Sequence, residues 1–230
     1  MDPLHLITVP VPFDILDILM QTTSRTPRKR TGPKPSFDKQ DVIHEALKLG
    51  LDCFTMSEIA NRLGVATSAL YRICSTKTLL DFCLEQAAEH FPFSPTGDWH
   101  HLVRDYARNT WLICENYPGI ENILLTNPRS HRHFEKHLAA LVSALITEGF
   151  SADEARNIVE LVSTITVSIH LAARAYRLAE ERVSPVDPVK GVYPESFPLP
   201  AHEREESWSH LNDKIDLIID GLSARCAAAA

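Results

Sequence analysis

Residues Ser57–Lys77 read SEIANRLGVATSALYRICSTK, and this stretch decides the fold. Ile59, Ala60 and Leu63 recur at helical spacing, Gly64 interrupts them, and Val65, Leu70 and Ile73 resume the pattern. Two short helices joined by a tight glycine turn form a helix-turn-helix signature. With Leu70 and Ile73 expected inward, the second helix turns Thr67, Ser68, Ala69 and Arg72 outward. Hydroxyls, a methyl and a guanidinium suit the base edges of a DNA groove better than an enzyme pocket.

The charge distribution agrees. The net charge is −7, yet residues 25–80 hold ten Lys/Arg against five Asp/Glu, while the rest holds thirteen against twenty-five. A basic module on an acidic body fits a protein of which one end meets phosphate. Just before the helical unit, residues 21–37 (QTTSRTPRKRTGPKPSF) carry no acid. Arg28, Lys29 and Arg30 there form a basic arm that can follow phosphates or enter a minor groove; a solvated linker is the plain alternative.

Working outward, the chain of 230 residues has the periodicity of an all-α protein. Residues 1–36 are read as an N-terminal extension ending in the basic arm, either a genuine segment or an over-reading upstream of Met20. Residues 37–91 are read as a three-helix helix-turn-helix domain followed by a fourth, linking helix, and 92–225 as a helical ligand-binding and dimerisation domain. Asp38 is suited to cap the first helix, with Val42, Ile43, Ala46, Leu47 and Leu49 inward. Thr55 or Ser57 caps the second, and Ser75–Thr76 the fourth, which carries Leu79, Leu80, Cys83, Leu84, Ala87 and Ala88. Asp98 opens a helix over 99–116, and a short one follows Pro118 to about Leu125. From Pro128 to Gly149 the apolar positions are Phe134, Leu138, Leu141, Val142, Leu145 and Ile146. Ser151 with Glu154 is a capping box for a long helix to about Glu181, read as apolar nearly all round from Ile158 to Tyr176. Five prolines in 183–200 predict a loop, and a last helix is expected over 203–222.

Five cysteines at 53, 74, 83, 114 and 226 are scattered and odd in number, which predicts reduced thiols in a cytoplasmic protein. Cys74 can be read as a redox sensor or as an apolar core residue. With no run of 18 apolar residues and no basic signal-peptide start, neither a membrane span nor a membrane partner is expected. GxSxG, P-loop, Rossmann glycine, HExxH and paired-Cys patterns are all missing, so an enzyme is not expected.

FDKQDVIHEALKLG and TMSEIANRLGVATSALYRICSTKTLL resemble the DNA-binding domain of the tetracycline-repressor (TetR) family of transcriptional regulators. Ile59-Ala60, Leu63-Gly64-Val65, Leu70-Tyr71 and Lys77 carry the resemblance, with Thr55 opening the second helix. Asp98-Trp99, Tyr117-Pro118-Gly119, Gly149-Phe150-Ser151 and 217–222 (LIIDGL) extend it to the body of the tetracycline-repressor subgroup. Ala66 stands where the family often has Ser, leaving Thr67 as a substitute cap, and Ile73-Cys74 replaces the usual His/Tyr-Phe.

The resemblance implies a homodimer joined through helices 151–181 and 203–222, and a palindromic double-stranded DNA operator. Repression is the family default, with release by a small effector. It places Thr67, Ser68, Ala69 and Arg72 in the major groove, Arg72 on either a base or a phosphate, and Tyr71, Lys77 and Thr55 on the DNA backbone. Candidate effector contacts are Tyr106, Thr110 and Trp111 on one helix and Ser163, Thr166 and His170 on another, with ordinary core packing as the alternative. Such a lining suits a small hydrophobic molecule. Ile123 and Ala172 fall where the tetracycline repressor binds its drug–metal complex with a His and a Glu, which speaks against tetracycline. His131, His133 and His137 are read as surface histidines, and no metal or cofactor is expected. The rival reading is a non-DNA interaction protein that kept a degenerate helix-turn-helix.

Overall fold

A computed structural model describes residues 37–91, 95–182 and 204–229. The arm residues Arg28, Lys29 and Arg30, the rest of the N-terminal extension and the proline-rich 183–200 segment lie outside the described residues. Among the described residues the regular structure is helical, without strands: α1 Lys39–Leu49, α2 Met56–Leu63, α3 Thr67–Tyr71, α4 Thr76–Glu89, α5 Trp99–Asn116, α6 Ile120–Thr126, α7 Glu135–Thr147, α8 Ala152–Arg182 and α9 Arg204–Ala229. A 3-10 turn, Ser130–Phe134, precedes α7.

Local chemistry sets the helix starts. Asp38 caps α1 reciprocally with Asp41, while Thr55 and Ser75 accept the Glu58 and Thr78 amides. Asp98 accepts the His101 amide, and Ser151 pairs with Glu154 ahead of α8. Each satisfies amides that the first turn of a helix leaves open. Gly64 ends α2 in the left-handed conformation, φ +67°, with empty space where a Cβ would stand.

Val42, Ile43, Ala46, Leu47, Ile59, Ala60, Leu70, Leu79, Cys83, Leu84 and Ala87 form the core beneath the first four helices. Four expectations need correction. Ile73 is 39% exposed and Cys74 is buried instead: α3 stops at Tyr71, and the turn of Arg72–Ile73 swings the register by one residue. Thr67 does not substitute as a cap, since Ala66 occupies that position without a side-chain hydrogen bond. Ile146 is exposed on the outer face of α7. The last helix continues past Leu222 to Ala229, through a run of alanines, the best helix formers.

In the body, α8 packs against α5, α6, α7 and α9. Its segment Ala152–Ala175 is long and apolar enough to cross a membrane by length and composition, which the sequence reading did not anticipate. Part of that apolar surface packs within the helical body, and the segment carries His170 and Arg174 in ion pairs.

The helix-turn-helix is fastened to this body along two elements. On α4, Asp81 pairs with Arg132 at 2.8 Å and lies 3.3 Å from His133, while His137 Nε2 donates to the Ala88 carbonyl at 2.9 Å. His133 is therefore not a surface histidine; its side chain is only 8% exposed. On the α1–α2 loop, the Leu51 amide donates to the Pro118 carbonyl at 2.7 Å.

Candidate nucleic-acid interface and buried charge network

Burial of Leu70 fixes which way α3 faces. Ser68, Tyr71 and Arg72 are exposed, Tyr71 by 57%, while Thr67 and Ala69 are half-covered. Lys77, on the first turn of α4, is also exposed, and the Thr55 hydroxyl is engaged by the Glu58 amide. The outward set expected from the sequence thus stands together on α3 and its flanks, and Ile73 joins it as an exposed apolar side chain. Lys39 does not belong to it; its ammonium lies 3.2 Å from the centroid of the Phe82 ring and ties α1 to α4.

The six candidate effector residues lie along the α5–α8 contact. Tyr106, Thr110, Trp111, Thr166 and His170 are buried and Ser163 is half-buried. Burial raises the Tyr106 phenol to about 12, against the opposing effect of its hydrogen bonds with Ser163 and Thr110. The Thr166 hydroxyl is fully buried, without a hydrogen-bond partner among the described residues. Trp111 meets His170 edge to face at 4.6 Å and Trp208 of α9 at 5.8 Å.

His170 also belongs to a set that sequence reading missed. Its Nδ1 lies 2.6 Å from Glu121 Oε1 and its Nε2 3.1 Å from Glu115 Oε1. A neutral imidazole has one N–H, so only the imidazolium donates to both carboxylates. Burial alone would lower the His170 pKa, but the two hydrogen bonds and the two negative charges outweigh it and hold the group above its usual value. One turn further along α8, Arg174 donates to both Asp52 oxygens at 3.0 and 3.1 Å, and its Nη1 stands 3.8 Å from Glu121 Oε2. Arg174, with smaller help from the Cys53 thiol, holds the Asp52 carboxyl below its usual range despite partial burial. Arg177 lies 3.9 Å from Glu115. One signal could have marked the site, though not its partners: His170 and Arg174 are an i,i+4 pair in a stretch, residues 161–176, that holds no other charge, where a buried charge needs a counterpart.

A raised histidine pKa contributes stability that is complete below the unfolded value near 6.5 and is lost as pH rises through the folded value. The stability gap between the native chain and its His170→Gln variant is therefore expected to be widest below pH 6 and to narrow as the pH climbs past that folded value. Chemical denaturation of both proteins at a series of pH values reads this directly; a gap independent of pH would rule it out.

No family model matches the chain. In sequence it is similar to an HTH-type transcriptional repressor of Mycobacterium tuberculosis, 24% identical over 199 residues that span 80% of this chain and 76% of the relative. A shorter similarity, 28% over 118 residues, covers 48% of this chain and 43% of an HTH-type transcriptional repressor of Streptomyces coeruleorubidus. Among solved structures, a possible TetR family transcriptional regulator of Streptomyces coelicolor A3(2) matches 81% of this chain and 99% of its own, with TM-score 0.51 and 24% identity. In fold the chain is similar to that regulator, with the helix-turn-helix and helical body that its sequence leads one to expect.

Proposed function

We propose that the chain is a DNA-binding transcriptional regulator, not an enzyme, acting in the cytoplasm as a homodimeric repressor that a small hydrophobic effector releases from a palindromic operator. The observation that carries the reading is the outward set on α3 and its flanks, Thr67, Ser68, Ala69, Tyr71, Arg72 and Lys77, borne on a helix-turn-helix whose inner face is fully packed. The similarity to curated repressors supports it. In this reading Thr67, Ser68, Ala69 and Arg72 meet base edges, while Tyr71, Lys77, Thr55 and the arm residues Arg28, Lys29 and Arg30 meet the DNA backbone.

Binding-site selection from random duplexes is the test, with a palindrome of half-sites about one helical turn apart as the expected yield. On the selected duplex, Arg72→Ala is expected to cost ~1–3 kcal/mol and relax one position if Arg72 reads a base. Uniform weakening across sequences would assign it to phosphate. A selection that enriches no sequence would favour the interaction-protein reading, for which the exposed Tyr71 and Ile73 are the available surface.

Dimerisation is supported by exposed apolar residues on the two longest helices: Leu161 and Leu178 on α8 and Leu217 on α9, the last 71% exposed. Leu217→Glu is expected to shift the protein from dimer to monomer in analytical ultracentrifugation; a native chain that sediments as a monomer would exclude this interface. The effector reading rests on the α5–α8 contact, where the buried Thr166 hydroxyl, without a partner among the described residues, offers a polar anchor.

A further inference from the structure

We propose that Arg174 is a two-position latch: it holds the helix-turn-helix to the body through Asp52, and loss of the His170–Glu121 contact draws it off Asp52 and onto Glu121. The contacts form an unbroken series. Glu115 on α5 meets His170 on α8 at 3.1 Å, His170 meets Glu121 on α6 at 2.6 Å, and Glu121 Oε2 lies 3.8 Å from Arg174 Nη1. Arg174 then grips Asp52, in the loop between α1 and α2, with two hydrogen bonds.

Two acceptors therefore compete for one guanidinium. Asp52 has it now. Glu121 is fully buried, and its Oε2 has no hydrogen-bond partner among the described residues. A buried carboxylate is tolerated only while compensated, and here His170 supplies the compensation at the other oxygen. When His170 is turned away or removed, Glu121 must find a cation, and the Nη1 of Arg174 needs to travel only about 1 Å to come within hydrogen-bond reach. The guanidinium cannot keep its bidentate fork on Asp52 while making that move.

The release would be felt at once by the loop. Asp52 sits against Gly119, where a Cβ would stand 2.7 Å from the Asp52 amide nitrogen, and the neighbouring Leu51 amide is bonded to the Pro118 carbonyl. Trp111 and, through it, Trp208 rest on the His170 ring, so a molecule that shifts either indole acts on the latch. The coupling is thus carried by an element with two discrete arrangements rather than by proximity alone.

Amide hydrogen exchange of the full chain, without DNA or effector, tests the latch separately from the regulator reading. The Leu51 amide reports docking of the loop. His170→Leu is expected to speed its exchange at least tenfold, while Leu145 within α7 stays within twofold. The double variant H170L/E121L, lacking the carboxylate that attracts Arg174, is expected to return Leu51 towards the native rate. Asp52→Asn is expected to match H170L, and the two combined to be no faster than either. A Leu51 rate unchanged by H170L, no recovery in H170L/E121L, or additive effects of H170L and D52N would each overturn the proposal. Should H170L not fold, His170→Gln, which is uncharged and has one donor nitrogen in place of two opposed ones, carries the same expectations at smaller size.

Discussion

Glu121→Ala is expected to destabilise the protein by ~3–5 kcal/mol, the range for removing one member of a buried ion pair. Glu121 is 0% exposed and faces His170 on one oxygen and Arg174 on the other. Its loss leaves Glu115 and Asp52 facing two cations whose shared counter-ion is gone, and opens a void where the side chain stood. At ~2–4 °C per kcal/mol for a domain of this size, the midpoint should fall by roughly 6–20 °C at matched protein concentration. Glu154→Ala serves as the comparison: that carboxylate accepts from Ser151 at the exposed start of α8 and pairs with an exposed Arg225, so its removal should cost far less. Equal losses for the two variants would show that the buried network contributes nothing special.

The second large effect belongs to a glycine. Gly119 has φ +89°, and a Cβ there would stand 2.2 Å from Asp52 Oδ1 and 2.7 Å from the Asp52 nitrogen. Gly119→Ala meets a backbone atom, so the loop must move, and with it the Arg174 fork and the Leu51 hydrogen bond. Left-handed strain of about 1–2 kcal/mol adds to the lost contacts, for a total of ~2–5 kcal/mol. Gly64→Ala isolates the strain alone, because φ is +67° there but nothing lies within 4 Å of the added carbon. Thermal melts of the two variants side by side decide the matter: G119A should fall well below G64A, and equality would mean that the close approach has no energetic weight.

Much of this fold could be read from single residues because helix starts are local events. Asp38, Thr55, Ser75, Asp98 and Ser151 each act within three residues of their own position, and each sits where the sequence predicts. The outward face of α3 was legible for the same reason, since burial of Leu70 alone sets its direction. Periodicity failed where a helix stopped early: counting on from Leu70 puts Ile73 inside, but the chain has already turned and presents Cys74. What no local pattern could supply was the pairing of Asp52 with Arg174, 122 positions apart, or of His170 with Glu121 and Glu115. Those partners share no periodicity; they meet only because α8 crosses α5 and α6 at the height of the α1–α2 loop. For that reason His170 was legible as an interior polar residue but its company was not.

The seat of that loop also bears on interchangeability. Docking uses a main-chain amide, a main-chain carbonyl, a missing Cβ at Gly119 and one guanidinium, and asks only Asp52 for a particular side chain. At this seat, a chimera carrying a foreign reading head therefore needs an aspartate at the matching loop position, whatever bases that head selects. A foreign body accepting this head must bring the Pro-Gly corner and the arginine together.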